Sequence, residues 1–164
     1  METMEIRIIK VLIGEVSLTH SPNILQTVLG SCVGVVVYDQ IAGLAGMAHV
    51  LLPDSRGQSP GKLPGKFADL AVACLVSGLN EIGARRDRLH AKFAGGAQMF
   101  VDSMNYGTND VGESNVRAVK KSLDYHRITL VACDTGGVGG RKVEFNPGTF
   151  ALRIENFASG VKVI

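Results

Sequence analysis

The chain has 164 residues, of which 46% are hydrophobic and 20% are charged, with 17 basic residues against 15 acidic ones. That length fits a single domain with a sizeable core, and the apolar fraction excludes a disordered chain. A net charge of +2 and the lack of tryptophan argue against nucleic-acid binding, which uses a basic footprint or stacking aromatics. The apolar runs fall short of the roughly 20 residues of a membrane span, and residues 1–18 lack the hydrophobic region of a signal peptide. Three widely spaced cysteines fit a reducing cytoplasm rather than a disulfide framework.

The apolar pattern predicts two helices set among many strands. The predicted strands are 5–19 (a pair, or one long strand bent at Gly14), 24–28, 33–38, 44–50, 89–94, 128–133, 142–145, 149–154 and 161–164. The predicted helices are 67–82, closed by Gly83, and a second one that begins at a Ser114 or Asn115 cap and turns Val116, Val119 and Leu123 inward. Together they indicate one domain over residues 1–164, a mixed α/β (α+β) sandwich with mainly antiparallel or mixed sheets and two to three helices.

The clearest local unit is a hairpin between residues 33 and 50. If its turn is centred on residues 40–41, Cys32 falls directly opposite His49, with the two Cβ atoms about 5 Å apart on one face. A thiol and an imidazole at that distance can hydrogen-bond, and a protonated histidine lowers the pKa of a neighbouring thiol. The pair therefore indicates a nucleophilic cysteine with its base.

Glycines surround this predicted pair. Gly30 and Ser31 precede the cysteine, so the backbone there can turn sharply and present an N–H group to a developing oxyanion. The pair Gly95-Gly96 follows a predicted strand and is expected to shape the same oxyanion and substrate region through close backbone approach.

Each candidate also has a purely structural interpretation. A cysteine beside a strand is often a small core residue, and a register slip of one residue would place Cys32 and His49 on opposite faces. Cys74 on the first helix and Cys133 in an apolar strand are interpreted as core residues. The cysteine and histidine spacing does not match zinc ligands, and the glycines of 136–142 lack P-loop spacing, so no metal or organic cofactor is expected.

Five short motifs occur in order over most of the chain, from about Gly14 to Ile154. They are Leu29-Gly-Ser-Cys-Val33, Ala48-His-Val-Leu-Leu-Pro-Asp-Ser55, Gly65-Lys-Phe-Ala-Asp69, Ala94-Gly-Gly-Ala97 with Met99-Phe100, and Asp134-Thr-Gly-Gly137 with Gly140-Arg-Lys-Val143. Together they resemble the CheD family of chemoreceptor glutamine deamidases. The resemblance implies a three-layer α/β sandwich related in shape to bacterial toxin deamidases.

The resemblance also implies an activity and its residues. It implies a single deamidase domain in bacterial chemotaxis that hydrolyses glutamine side chains of methyl-accepting chemoreceptors to glutamate without a cofactor. Cys32 stands at the family's nucleophile and His49 at its base. The family's third group is a threonine before the motif, for which Thr27 is the candidate, although some members carry it at the position of Gln26.

Two other functions remain open at this point. In the family, the deamidase also binds a CheC-type phosphatase of the response regulator, so the chain could be a regulatory binding module. A hydrolase of small amides is the third possibility. An enzyme-like site predicts that Cys32 is alkylated faster than Cys74 and Cys133 at neutral pH.

Overall fold

The computed structural model describes residues 3–98 and 110–164, which form ten strands and two α-helices. The strands are β1 (Ile8–Lys10), β2 (Val16–His20), β3 (Ile24–Leu29), β4 (Val33–Asp39), β5 (Leu44–Val50), β6 (Leu89–Gly95), β7 (Thr129–Thr135), β8 (Arg141–Asn146), β9 (Ala151–Asn156) and β10 (Gly160–Val163). The helices are α1 (Ala68–Glu81) and α2 (Val111–Tyr125), and a short 3-10 helix covers Arg86–Arg88. Neither α-helix in this described part of the chain is long and apolar enough to cross a bilayer.

The strands form two five-stranded sheets. The central sheet has the order β2-β5-β4-β6-β7 and the outer sheet the order β1-β3-β8-β9-β10. Both sheets are mixed, because β6 runs parallel to β7 and β1 parallel to β3 while the other pairs are antiparallel. The expected α/β fold with mixed sheets is confirmed.

The central sheet is covered on both faces. One face packs against α1 and α2 through alternate residues such as Val33, Val35 and Val37. The other face packs against the outer sheet through Val36 and Tyr38. This explains why β4 is an almost continuous apolar run, since a strand buried on both faces has no position for exposed polar side chains. The result is three layers: helices, central sheet and outer sheet.

The end of α1 and the start of α2 are each marked by one residue. α1 is followed by Gly83, whose φ of 108° is easily adopted only by glycine, as the sequence predicts. α2 begins earlier than predicted, because the N-cap is Asp110, whose side chain accepts from the Gly112 N–H at 3.0 Å. The prediction of a cap at Ser114 or Asn115 is wrong, and Asn115 is fully buried instead.

Two further expectations need correction. Residues 5–19 do not form one strand or a pair, because β1 joins the outer sheet and β2 the central sheet, with a turn at Gly14 between them. Cys133 is exposed rather than part of the core, since β7 lies at the edge of the central sheet and its residues are not fully covered. Cys74 is half-buried on α1.

Candidate functional site

The hairpin that carries the predicted cysteine–histidine pair has a different register from the expected one. His49 pairs with Gly34, and Val33 pairs with Val50. Cys32, the residue before β4, is therefore displaced by two positions from His49 instead of directly opposite it. A shift of two keeps both side chains on the same face, which points toward the outer sheet. Diagonal neighbours have Cβ atoms about 7 Å apart, a gap that an imidazole ring and a sulfur atom can span together.

The register follows from the turn. The carboxylate of Asp39 accepts hydrogen bonds from the N–H groups of Ile41 and Ala42, at 3.0 and 3.1 Å. Gly43 then returns to the Asp39 carbonyl with φ of 67°. This side-chain-capped loop of four residues centres the hairpin one residue later than a turn at 40–41 would.

His49 is held from the outer sheet by Thr27. The Oγ1 of Thr27 lies 2.8 Å from Nδ1 of His49 and donates its own proton to the carbonyl of Val11 at 2.6 Å. The hydroxyl proton is therefore used, so Oγ1 accepts from the imidazole. The Val11 carbonyl, 3.3 Å from the same Nδ1, is also only an acceptor. Nδ1 must then carry the proton, which leaves the lone pair of Nε2 free to act as a base.

A glycine makes this contact between the sheets possible. Gly34, opposite His49, lies beneath Thr27 and Leu29 of β3. A Cβ atom at this position would lie 3.3 Å from the Thr27 methyl group and 3.1 Å from a Leu29 methyl group. The missing side chain therefore lets the threonine approach the imidazole.

Burial favours the neutral forms of both candidate catalytic groups. It lowers the pKa of His49, against weaker opposing effects of the Val11 hydrogen bond and the Glu15 charge. It also raises the pKa of Cys32, which is only 7% exposed. Burial therefore acts against the thiolate and protonated histidine that the sequence suggests, and favours a thiol and a neutral imidazole.

Three consecutive carbonyl groups hold the loop of residues 30–32. They accept hydrogen bonds of 3.0, 3.1 and 2.9 Å from, in order, the Ala97 N–H, the Asn115 Nδ2 and the Gly96 N–H. In a trans peptide the N–H points away from the carbonyl of the same plane. The N–H groups of Ser31 and Cys32 are thus turned away from these donors.

The glycine pair predicted near the site lies directly against this loop. Gly95 has φ of 118°, and a Cβ on it would lie on top of the Cys32 carbonyl oxygen, so a side chain is excluded there. Gly96 donates to that same oxygen and packs under α2. Met99 and Phe100 of the same motif lie outside the described residues.

A cavity of about 240 Å³ opens beside the histidine. Its lining residues come from β1, the segment after β1, β3 and β5, and they are Lys10, Val11, Leu12, Ile13, Gln26, Thr27, Val28 and His49. Across residues 3–98 and 110–164 there is no group of three or more metal-ligating side chains.

The structure places the predicted site residues in two groups. Thr27 contacts His49, and Gly95 and Gly96 lie against the loop of Gly30, Ser31 and Cys32. Cys32 and His49 lie two positions apart on the same face of the hairpin. Sequence reasoning missed the roles of Val11 and Asn115, whereas the small residue Gly34 indicates room for another layer to approach. Gly34 interrupts a run of valines, and a glycine inside a strand indicates that another part of the chain approaches its backbone closely. The other two act through a backbone carbonyl and a buried helix face, for which the sequence carries no local signal.

Comparison with known proteins identifies the family of this chain. The family model described as CheD chemotactic sensory transduction matches residues 51–156. The chemoreceptor glutamine deamidase CheD of Halalkalibacterium halodurans is 45% identical over 159 residues, 96% of this chain and 98% of that one. The probable chemoreceptor glutamine deamidases CheD of Clostridium kluyveri and Methanococcus vannielii are 42% and 44% identical, over 98% and 83% of this chain and 100% and 86% of theirs. On this similarity, which extends over nearly the whole chain, the protein belongs to the CheD family.

Proposed function

We propose that this protein hydrolyses the carboxamide of selected glutamine side chains of chemoreceptors, giving glutamate and ammonia. The observation that carries the proposal is the buried Thr27–His49 hydrogen bond, which leaves Nε2 of the histidine as a base beside the Cys32 loop. The names of the relatives supply the substrate class, since they are chemoreceptor glutamine deamidases.

The first half of the reaction forms a thioester. Sγ of Cys32 attacks the carboxamide carbon while its proton moves to Nε2 of His49. Because burial favours the neutral form of both groups, this proton transfer accompanies the attack. The tetrahedral intermediate then breaks its C–N bond, and the imidazolium returns the proton to the departing nitrogen, which leaves as ammonia.

The second half of the reaction uses one water molecule. Nε2 of His49 removes a proton from the water, and the oxygen attacks the thioester carbon. The C–S bond breaks, and the histidine returns its proton to the sulfur of Cys32. The glutamate side chain leaves as a carboxylic acid, whose proton passes to solvent or to the released ammonia to give the carboxylate. The side chains named and one water balance every step.

The developing negative charge on the substrate oxygen is stabilised by backbone donors. The peptide planes before Ser31 and before Cys32 have their carbonyls fixed toward Ala97 and Asn115. Their N–H groups point the opposite way and are the donors of the oxyanion site. Gly95 and Gly96 keep this loop in place by packing backbone against backbone.

The substrate is a surface of a receptor rather than a small amide. A glutamine presented on a helix reaches the site through its long side chain, and the cavity beside His49 is bordered by the exposed apolar side chains of Leu12, Ile13 and Val28. Conversion of an amide to a carboxylate changes the repulsion between neighbouring helices of the receptor bundle. We place the reaction in the cytoplasm, where a free Cys32 thiol persists.

The test is mass spectrometry of a purified receptor cytoplasmic fragment after incubation with the protein. Wild type and Cys133→Ala are expected to convert specific glutamines to glutamate, whereas Cys32→Ala and His49→Ala are not. Cys133→Ala is the matched control, because that thiol is exposed on the edge strand β7.

Two outcomes would overturn the proposal. Conversion by Cys32→Ala at the wild-type rate would exclude the thioester, and near-normal activity of His49→Ala would exclude the pair. If folded wild type converts no glutamine of any receptor tested, the result favours the alternative function, a regulatory module that binds a CheC-type phosphatase.

A further inference from the structure

The side chain of Asn115 connects the two segments that carry the candidate catalytic groups. It lies on α2, is fully buried, and its Nδ2 donates to the carbonyls of Ser31 at 3.1 Å and Leu51 at 3.0 Å. Ser31 immediately precedes Cys32, and Leu51 follows His49 by two residues. One amide group therefore ties the nucleophile loop to the end of β5.

The chemistry of the two partners fixes the orientation of this amide. Both are carbonyl oxygens, which only accept, so the NH₂ end must face them and the oxygen must point away. That oxygen, Oδ1, is buried and has no hydrogen-bond partner among the described residues. An unsatisfied buried oxygen destabilises a fold.

This unsatisfied oxygen argues against a role in packing alone. The nearest inward side chains that follow Asn115 on α2, those of Val116 and Val119, are apolar. An apolar residue at 115 would leave no such oxygen in the core. The amide is thus best explained by what its NH₂ group holds.

We propose that Asn115 is a positioning residue that fixes the peptide between Ser31 and Cys32, so that the Cys32 N–H faces the substrate oxyanion. The carbonyl of that peptide is drawn toward α2, and the N–H of a trans peptide points in the opposite direction. Without the amide, this peptide loses the donor that sets its orientation. The inference rests on the proposed function and adds a residue to it.

The packing of α2 strengthens this role. A Cβ on Gly112 would lie 2.5 Å from the carbonyl oxygen of Gly96, so the first turn of the helix sits directly on the glycine pair. Gly96 in turn donates to the carbonyl of Cys32. The helix therefore holds the peptide on each side of the cysteine, one through Asn115 and the other through Gly96.

The test compares Asn115→Ala and Asn115→Ser with Ser122→Ala by steady-state kinetics on the receptor fragment. Ser122 is the matched control, because it is a buried polar residue two helical turns further along α2. The Asn115 variants are expected to lower kcat about 10- to 100-fold with KM within about twofold, since the loss is confined to the transition state. The pKa values read from the acid and alkaline limbs of the kcat/KM profile should not change, because the substitutions leave Thr27 and His49 in place.

Assays are run below the melting temperature of every variant. If Asn115→Ala is poorly folded, Asn115→Ser is used in its place. The inference is overturned if folded Asn115 variants keep kcat within twofold of wild type. It is also overturned if KM rises while kcat holds, or if Ser122→Ala loses as much. A wild type that converts no glutamine refutes the proposed function instead, so the two failures are distinguishable.

Discussion

Replacement of Thr27 by valine tests the hydrogen bond that joins the two sheets at the site. Valine keeps the shape and the methyl contact with Gly34 but removes the hydroxyl, and with it the bonds of 2.8 Å to His49 and 2.6 Å to Val11. A buried hydrogen bond contributes about 0.5–1.5 kcal/mol net, so the loss of two amounts to about 1–3 kcal/mol. The Val11 carbonyl, 3.3 Å from Nδ1, still accepts weakly from the imidazole. The expected result is therefore a fall in kcat of about 10- to 100-fold, or about 1.4–2.7 kcal/mol, rather than complete loss.

The assay is the initial rate of glutamine conversion in the receptor fragment, with KM measured for each variant. Thr27→Ser retains the hydroxyl and should recover most of the rate. Thr19→Val is the matched control, since Thr19 is also buried and its hydroxyl accepts from Asn23 at 3.1 Å instead of contacting His49. A kcat for Thr27→Val within twofold of wild type would show that the tautomer of His49 is set by something other than this threonine.

Three further predictions follow from the same geometry. Gly34→Ala should lower kcat about tenfold at a cost of about 1 kcal/mol in urea unfolding, because the new methyl pushes Thr27 away from His49; an unchanged kcat would contradict this. The pH profile of kcat/KM should be broad, because burial lowers the pKa of His49 from its usual 6.5 and raises that of Cys32 from its usual 9.0. The acid limb should lie below the usual histidine pKa of 6.5 and the alkaline limb above the usual cysteine pKa of 9.0. A narrow optimum between these two pH values would refute a neutral resting pair. Burial raises the pKa of Asp39, but two backbone N–H groups and an arginine outweigh it, so the pKa lies below its usual 3.8. Its contribution to stability is thus complete above that value and is lost as the pH falls through the lower pKa of the folded state. Asp39→Asn should cost about 1.5–3 kcal/mol in urea unfolding at neutral pH, the range for hydrogen bonds to a charged group, and remove this acid sensitivity. Equal stability of the two proteins would contradict the prediction.

The part of the site that lies within one hairpin could be predicted from the sequence. Alternation along two strands places Cys32 and His49 on one face, and this holds even though the register is shifted by two. The shift itself depends on how the Asp39 side chain caps the turn. Residue types alone do not distinguish that turn from a shorter one, because several loops accept the same residues.

The parts contributed by other layers could not be predicted in this way. Thr27 was identified through the family resemblance, since nothing local indicates that its strand lies over Gly34. Asn115 was interpreted as a helix cap because asparagine is common there, whereas its environment is set by a loop more than 80 residues earlier. Cys133 looked buried because its strand is apolar, but the exposure of a strand depends on its place in the sheet.

The placement of β3 in the outer sheet has a consequence for when the site becomes complete during synthesis. Thr27 belongs to the first fifth of the chain, yet its strand pairs with β8, where it faces Val143. The other neighbour, β1, is only three residues long, and so short a pair is not stable by itself. The hydroxyl that orients His49 is therefore fixed only after nearly the whole chain has left the ribosome. A nascent or truncated chain that ends before β8 contains Thr27, Cys32 and His49, but nothing yet holds the threonine hydroxyl against the imidazole. The proposed hydrolysis therefore waits until folding is finished.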